Sequence, residues 1–231
     1  AGRDRVPLDY CKAHGITVYN AGGVYSAPMA EFVLGGILQL YKESKFFAEN
    51  QAAHRWEKHR GLRELSGKTA CIIGTGSVGS AIARRLRAFD VQTVGMNRSG
   101  HPASEFDQTQ PICRLDDLLP LADLVICAMP LTAETAGLFD SVRLAKIKPG
   151  AVFVNVARGK VTDQQALAEA LQSGQLSGAV LDVFEEEPLP RSSPLWDMEQ
   201  AILTPHNSFV GEHNGERLFR LICKNLESFA Q

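Results

Sequence analysis

The sequence predicts an α/β fold, a doubly wound parallel sheet, and three observations support this. A short apolar run, Thr69–Ile73, has the length of one buried strand. A glycine-rich segment follows it at once and leads into residues 78–89, whose apolar positions recur at helical spacing. From residue 68 onward, apolar runs of strand length alternate with helical patterns. That alternation is typical of βαβ units, which have right-handed crossovers.

The segments before this unit are less regular. Residues 7–15 predict a short helix, and residues 16–20 alternate as a strand would. Residues 49–65 are polar and charged, with Trp56 as the exception. We expect this last segment to be an exposed arm or a second short helix.

A long amphipathic stretch at residues 29–47 predicts a helix. Its middle carries Gly35 and Gly36, and each glycine costs a helix about 1 kcal/mol relative to alanine. We therefore expect either close packing of the backbone against another helix or a kink at this pair.

The remaining elements follow the alternation. Residues 98–111 are rich in turn formers and have no clear period. Helical spacing predicts helices at residues 115–121, 141–147, 163–173 and 216–229. Apolar runs predict strands at residues 91–96, 124–129, 151–156, 178–183 and 201–204.

Composition and charge argue against several classes of protein. The chain has 231 residues, 45% hydrophobic and 22% charged, with a formal net charge of −2, which suits one large or two modest domains. This near-neutral balance gives no reason to expect a nucleic acid or an anionic membrane as partner. No apolar run is long enough to span a bilayer, and the first residues do not resemble a signal peptide.

The cysteines and histidines predict neither disulfides nor a metal site. The five cysteines are scattered, and Cys71 and Cys127 fall inside strand-like runs. We expect buried free thiols in a reducing cytoplasm. His54 and His59 are five positions apart rather than the four that would share a helix face. We therefore expect no structural metal.

The glycine-rich segment has the G-x-G-x-x-G spacing of a dinucleotide-binding turn, with Gly74, Gly76 and Gly79. The first glycine permits the turn, the second lets the backbone approach the pyrophosphate, and the third lets the helix pack on the strand. Ser77 and Val78 would begin that helix, whose free N–H groups and dipole attract phosphate. A glycine-rich turn without a ligand has the same spacing, but the flanking strand and helix favour a cofactor.

Candidate catalytic residues follow three of the predicted strands. They are Arg158, the acidic residues 185–187 and His206. Because ligands of an open parallel sheet bind beyond the carboxyl ends of its strands, these residues should share one rim with the glycine turn.

An arginine, a carboxylate and a histidine suit redox chemistry at a hydroxyl-bearing carbon beside a carboxylate. A histidine, with an unperturbed pKa of about 6.5, can remove the hydroxyl proton at neutral pH. A neighbouring carboxylate stabilises the imidazolium, and an arginine fork binds the carboxylate of the substrate. Taken singly, each residue has a simpler explanation: a loop histidine, a solvated acidic turn, or an arginine bound to a carbonyl.

Three signatures around these residues resemble the D-isomer-specific 2-hydroxyacid dehydrogenases. They are Asn-Val-Ala-Arg-Gly at 155–159, Leu-Asp-Val-Phe-Glu-Glu-Glu-Pro at 181–188 and Thr-Pro-His-Asn at 204–207. The resemblance runs through nearly the whole chain. It implies an NAD(P)-dependent oxidoreductase that interconverts a D-2-hydroxyacid and its 2-keto acid. In this scheme His206 is the acid/base, Glu187 is its partner and Arg158 binds the substrate.

The resemblance also implies residues that bind the cofactor. Asp182 would hold the nicotinamide carboxamide, and His206 would lie beside the ring. Positions that would line the cofactor are Met129, Pro130, Val156 and Ala157.

The resemblance further implies the domain organisation. A Rossmann-type nucleotide-binding domain at residues 25–210 would carry remnants of a flavodoxin-like substrate domain. Residues 1–24 resemble the late part of that substrate domain, and residues 211–231 would be a helix that returns towards it. The missing part of the substrate domain would supply one wall of the substrate pocket.

The end of the second strand of the nucleotide unit bears on the choice of coenzyme. The family usually has an acidic residue there for the adenosine ribose, whereas this chain has Asn97, Arg98 and Ser99. An arginine at this place accommodates a 2′-phosphate, so we expect NADP to be favoured and NAD to be possible. Stacking of Arg98 on the adenine, with both coenzymes accepted, is the alternative.

Other expectations follow from the family. A homodimer would form through the nucleotide domain, and we assign residues 29–47 and 49–65 to its interface. Two alternative functions are a corepressor-like protein that senses dinucleotides and a truncated chain that binds cofactor without turnover. We expect a cytoplasmic protein that binds a small 2-hydroxy or 2-keto acid, with no nucleic-acid or membrane partner.

Overall fold

The structure, a computed structural model, describes Gly2 and residues 6–229, without the side chains of residues 228 and 229. It is built on one parallel sheet in which the strands stand in the order β3-β2-β1-β4-β5-β6-β7. The strands are β1 Thr69–Ile73, β2 Gln92–Asn97, β3 Gln108–Pro111, β4 Leu124–Cys127, β5 Ala151–Asn155, β6 Leu176–Leu181 and β7 Ala201–Leu203. The strand order reverses between β1 and β4, as it does in doubly wound dinucleotide-binding folds. The predicted α/β fold with a Rossmann-type sheet is confirmed.

Helices cover both faces of this sheet. The α-helices of the described residues are α1 Leu8–Ala13, α2 Ser26–Tyr41, α3 Ser44–Ala52, α4 Ser77–Arg87, α5 Leu115–Leu118, α6 Ser141–Lys146, α7 Gln164–Gln172 and α8 Asn214–Phe229. On one face, α2 and α4 bury residues such as Ile37 and Ile82 against Ile72 of β1. On the other face, α6 and α7 contribute Leu144 and Leu167 to a second core. With both faces covered, the central strands β1, β4 and β5 read as continuous apolar runs.

Four predicted segments differ at least in part from the structure. Residues 98–111 contain the edge strand β3, whose Gln-Thr-Gln-Pro sequence is too polar to indicate a strand. Residues 16–20 form no strand, because no described strand pairs with them. The predicted helix 29–47 is two helices, and Glu43, with φ of 50°, separates α2 from α3. The predicted arm begins within α3 and has no regular structure from residue 55 to residue 65.

The glycine pair of α2 allows close packing against a strand. A Cβ added to Gly36 would lie 2.7 Å from Cγ1 of Val180 in β6. A Cβ added to Gly35 meets nothing within 4 Å. The predicted close approach is present, but for Gly36 the partner is the sheet rather than another helix.

Alanine at these two positions should have opposite effects on stability. Gly36→Ala is expected to lower the free energy of unfolding by about 1–3 kcal/mol, because the methyl group overpacks a buried contact. Gly35→Ala is expected to raise it by about 0.5–1 kcal/mol, because alanine is the better helix former and has room. Urea unfolding of both variants measures the difference. Equal destabilisation by both would contradict the packing described.

Candidate active site

The glycine turn connects β1 to α4 at the carboxyl edge of the sheet. Gly74 has φ of 109°, and a Cβ there would lie 2.6 Å from the carbonyl oxygen of Ala128. A Cβ on Gly79 would lie 1.8 Å from the carbonyl oxygen of Gly74. Gly76, directly before α4, has open space around its Cβ position. The turn therefore needs its first and third glycines for its own shape, and the second leaves room at the helix N-terminus.

The loop after β2 is organised by the side chain of Asn97. Its Nδ2 donates to Thr75 Oγ1 at 3.2 Å and to the carbonyl oxygen of His101 at 2.8 Å. Its Oδ1 accepts from the backbone N–H groups of Ser99 and His101. Asn97 thus ties this loop to the glycine turn, and it leaves the Arg98 and Ser99 side chains exposed at the surface.

Arg98 lies near an acidic residue that follows β4. The pKa of Glu134 is lowered because the Thr132 hydroxyl donates to its carboxylate at 2.7 Å, and the charge of Arg98 contributes in the same direction. Arg98 thus places a positive charge close to the loop after β4.

The loop after β5 is held by a buried asparagine and by a close backbone contact. Asn155 donates from Nδ2 to the carbonyl oxygen of Arg158 at 3.0 Å and accepts at Oδ1 from the N–H of Ala157 at 3.0 Å. A Cβ on Gly159 would lie 1.8 Å from the carbonyl carbon of Phe184. This glycine therefore lets the arginine loop press against the acidic loop that follows β6.

Glu187 and His206 form a hydrogen-bonded pair beside Arg158. His206 Nδ1 lies 2.9 Å from Glu187 Oε2, and Glu187 Oε1 accepts from the N–H of Phe184 at 3.1 Å. Burial alone would raise the pKa of Glu187. The hydrogen bonds from His206 and Phe184, with the charges of His206 and Arg158, hold that pKa below its ordinary value. Glu187 is therefore an anion at neutral pH.

The backbone around His206 is bound to Asp182, which is completely buried at the end of β6. Asp182 Oδ1 accepts from Thr204 Oγ1 at 2.6 Å and from the N–H of Asn207 at 2.7 Å. Its Oδ2 accepts from the N–H of Ser208 at 3.0 Å, and its carbonyl oxygen accepts from the N–H of His206 at 2.8 Å. His206 has φ of 51° in the middle of this loop.

A cavity of about 490 Å³ brings most of the predicted residues together. The predicted residues that line it are Gly76, Ser77, Val78, Met129, Pro130, Val156, Ala157, Arg158 and His206. A second depression, of about 610 Å³, shares Arg158 and His206 with the first and adds Glu187 and Lys160. The predicted residues outside the lining of the first cavity are Gly74, Gly79, Asn97, Arg98, Ser99, Asp182 and Glu187.

Residues 20–29 form a wall of this cavity that sequence reasoning did not assign to the site. Within it, Ser26 begins α2, and its buried hydroxyl makes no hydrogen bond with the described residues. The sequence indicates Ser26 only as a hydroxyl-bearing residue two positions before Pro28. The helical pattern alone does not predict that such a residue binds a ligand.

The part of the chain that the structure describes contains neither a cluster of metal-binding side chains nor a membrane-spanning helix. Residues 6–229 with Gly2 contain no group of three or more His, Cys, Asp and Glu side chains that could hold a metal ion. Across the same residues, every helix is too short or too polar to cross a bilayer.

The fold and this rim define a class of protein: a Rossmann-type dinucleotide-binding domain with an arginine and a histidine–glutamate pair beside a cavity at the glycine turn. A family model described as the NAD-binding domain of D-isomer-specific 2-hydroxyacid dehydrogenases matches residues 34–208. The chain belongs to that family, and the predicted family resemblance is confirmed.

Named relatives differ in substrate and in length. D-3-phosphoglycerate dehydrogenase of Mycobacterium tuberculosis is 37% identical over 208 residues, which are 89% of this chain and 39% of that protein. Glyoxylate reductase of Pyrococcus furiosus is 34% identical over 241 residues, covering 99% of this chain and 70% of that protein. The chain therefore spans well under half of the mycobacterial protein and about two thirds of the archaeal one.

Solved structures of the family give the same fold. A family member from Xanthobacter autotrophicus, in complex with NADPH and MES, is 31% identical with a TM-score of 0.86, over 100% of this chain and 94% of that one. A family member from Aeromonas salmonicida is 35% identical with a TM-score of 0.82, over 92% of this chain and 67% of that one.

Proposed function

We propose that this chain is the cofactor-binding part of an NAD(P)-dependent oxidoreductase that interconverts a D-2-hydroxyacid and its 2-keto acid. The observation that carries the proposal is the pair of His206 Nδ1 and Glu187 Oε2, 2.9 Å apart, next to Arg158 on the rim of the cavity. Relatives named as dehydrogenases and reductases of hydroxy and keto acids support the substrate class.

The residues present fit a bound dinucleotide. Gly76 leaves open space at the start of α4, where a pyrophosphate would meet free N–H groups. The buried hydroxyl of Ser26 lacks a partner among the described residues and lines the same cavity. When bound, the nicotinamide supplies or accepts the hydride. The protein supplies position and proton transfer.

The proton transfer falls to His206. Because its Nδ1 is bound to Glu187, Nε2 is the nitrogen that can donate to a keto oxygen or accept from a hydroxyl. The carboxylate of Glu187 stabilises the protonated imidazole. Arg158 can bind the substrate carboxylate through two parallel hydrogen bonds, which would fix the reacting carbon beside the histidine.

Turnover of a panel of 2-keto acids tests this function. We expect reduction of at least one member with NADPH, measured as the loss of nicotinamide absorbance, with glyoxylate, pyruvate and hydroxypyruvate among the acids. Tight binding of NADPH with no turnover of any acid would instead favour a domain that binds cofactor only.

We infer a preference for NADP(H) from the exposed Arg98 on the loop after β2. A hydrogen bond from a guanidinium to a charged group contributes about 1.5–3 kcal/mol, so Arg98→Ala should weaken NADPH binding about 10- to 100-fold. The same change should alter NADH binding little, because NADH has no 2′-phosphate. Dissociation constants of both coenzymes for both proteins measure this. Tighter binding of NADH than of NADPH by the unaltered protein would contradict the inference.

The organisation into domains and the dimer are also proposals. Residues 1–24 and 211–231, of which residues 1, 3–5, 230 and 231 lie outside the described part, would pack on a substrate domain. The exposed Tyr10 of α1 and Phe219 of α8 support this. A second copy of the chain would cover residues 29–47 and 49–65, where the Trp56 side chain is 97% exposed. Elution of the protein as a monomer from a sizing column would contradict the dimer.

A further inference from the structure

The backbone of His206 adopts a conformation that a histidine seldom adopts without support. Its φ of 51° lies in the left-handed region, which is uncommon for residues other than glycine. Such backbone strain persists only where the surroundings fix it. The direction of the imidazole depends on this dihedral, so whatever holds the backbone also sets the distance to Glu187.

The groups that hold the backbone come from one residue, Asp182, and the threonine that precedes the turn. The Asp182 carbonyl oxygen accepts from the N–H of His206, and its carboxylate accepts from the N–H groups of Asn207 and Ser208. Thr204 Oγ1 donates to the same carboxylate at 2.6 Å. Three consecutive backbone N–H groups and one hydroxyl thus converge on Asp182, from both sides of the histidine.

The burial of Asp182 makes its carboxylate depend on the donors of the His206 loop. A completely buried carboxylate must be compensated by hydrogen bonds, and the described donors are all in the loop that carries His206. If the loop moved, the carboxylate would lose its donors. The acid and the loop therefore fix each other.

We propose that Asp182 and Thr204 are positioning residues, which hold His206 in its left-handed conformation and so direct its imidazole at Glu187. This inference rests on the proposed role of His206 as the acid/base. It gives Asp182 a task besides the carboxamide contact that the family resemblance implies, since three donors of the loop already occupy its carboxylate.

Substitutions at Thr204 and Asp182 test the inference. Thr204→Val keeps the shape and removes the donor, and kcat should fall about 10- to 100-fold because a small displacement of a catalytic group has effects of that size. Thr204→Ser restores the donor and should restore most of kcat. Asp182→Asn places an amide against the N–H of Ser208 and should lower kcat at least as far. For both Thr204 variants, the dissociation constant of NADPH should stay within about threefold of the original.

A matched control separates positioning from general loss of stability. Thr93 is completely buried, whereas Thr204 is half-buried. Thr93 Oγ1 donates to Asp107 Oδ2 at 2.9 Å near the start of β2, away from the carboxyl edge that carries the site. Thr93→Val removes the same kind of bond outside the site, and should lower the unfolding temperature without lowering kcat. A fall in kcat of equal size in Thr93→Val and Thr204→Val would overturn the proposal.

Two further measurements distinguish this inference from its alternatives. In a protein that already carries His206→Asn, adding Asp182→Asn should lower the residual activity no further, because both changes act through the same group. If Asp182 instead acts mainly by holding the cofactor, the two effects add and NADPH binding weakens. That result would overturn the proposal.

The second measurement does not require turnover. The His206 ring resonance, assigned among the six histidines with His206→Asn, should shift on Glu187→Gln. In a protein that carries Thr204→Val, Glu187→Gln should shift the His206 resonance much less, because the imidazole no longer contacts the carboxylate. An unchanged response in Thr204→Val overturns the positioning role. A different result would overturn the proposed function alone. In that case the unaltered protein turns over no acid, while Thr204→Val still abolishes the shift that Glu187→Gln causes in the His206 resonance.

Discussion

Replacing His206 by asparagine is expected to lower kcat for reduction of a 2-keto acid by about 10²- to 10⁴-fold, the usual contribution of a general acid. Asparagine is the informative replacement because it adopts positive φ more readily than most residues, so the backbone at φ of 51° can stay as it is. It also keeps a polar group near Glu187. Binding of NADPH should change little, since the imidazole contributes one of many groups that line the cavity.

A second histidine–glutamate pair provides the control. His213 Nε2 lies 3.1 Å from Glu212 Oε1, and both side chains are mostly exposed outside the cavity. His213→Asn removes the same kind of pair and should leave kcat unchanged. Retention of full turnover by His206→Asn would remove the acid/base role, whereas a loss of NADPH binding by that variant would assign the histidine to the cofactor.

The dinucleotide-binding unit could be predicted because its signals are local. A buried parallel strand is a continuous apolar run, as in β1, and the glycine spacing after it indicates the turn and the start of the next helix. The edge strand β3 gave no such signal, because its residues are half-exposed and polar. Residues 16–20 gave a false one, since alternation alone does not provide a neighbouring strand. Their example shows that a strand depends on a partner elsewhere in the fold.

Part of the candidate site was predictable from the positions of its residues after the predicted strands. The ends of parallel strands meet at one edge, so Arg158, Glu187 and His206 could be expected together without knowledge of any distance. The bonds from Asp182 to the histidine loop could not be expected, because they depend on a backbone dihedral and on which side chain is buried. Ser26 was missed because a lone serine at a helix start has an ordinary structural explanation.

Gly79→Ala and Gly76→Ala should separate the fold of the glycine turn from its function. A methyl group on Gly79 would lie 1.8 Å from the carbonyl oxygen of Gly74, and a backbone atom cannot move aside without moving β1 or α4. Overpacking of this kind costs about 1–3 kcal/mol or more, so Gly79→Ala should lower the unfolding temperature and weaken cofactor binding together.

Gly76→Ala should weaken cofactor binding alone. Its φ of −73° and ψ of −171° suit alanine, and no atom beyond the two adjacent residues lies within 4 Å of the added methyl group. The stability of the protein should therefore be equal or slightly higher. The methyl group would occupy the space through which a pyrophosphate approaches the start of α4, so the dissociation constant of NADPH should rise at least about tenfold. Thermal unfolding and NADPH titration of both variants measure the two effects. If Gly76→Ala binds NADPH as tightly as the unaltered protein, the phosphates do not lie on this turn. A methyl group at Gly76 would otherwise clash with them and weaken binding.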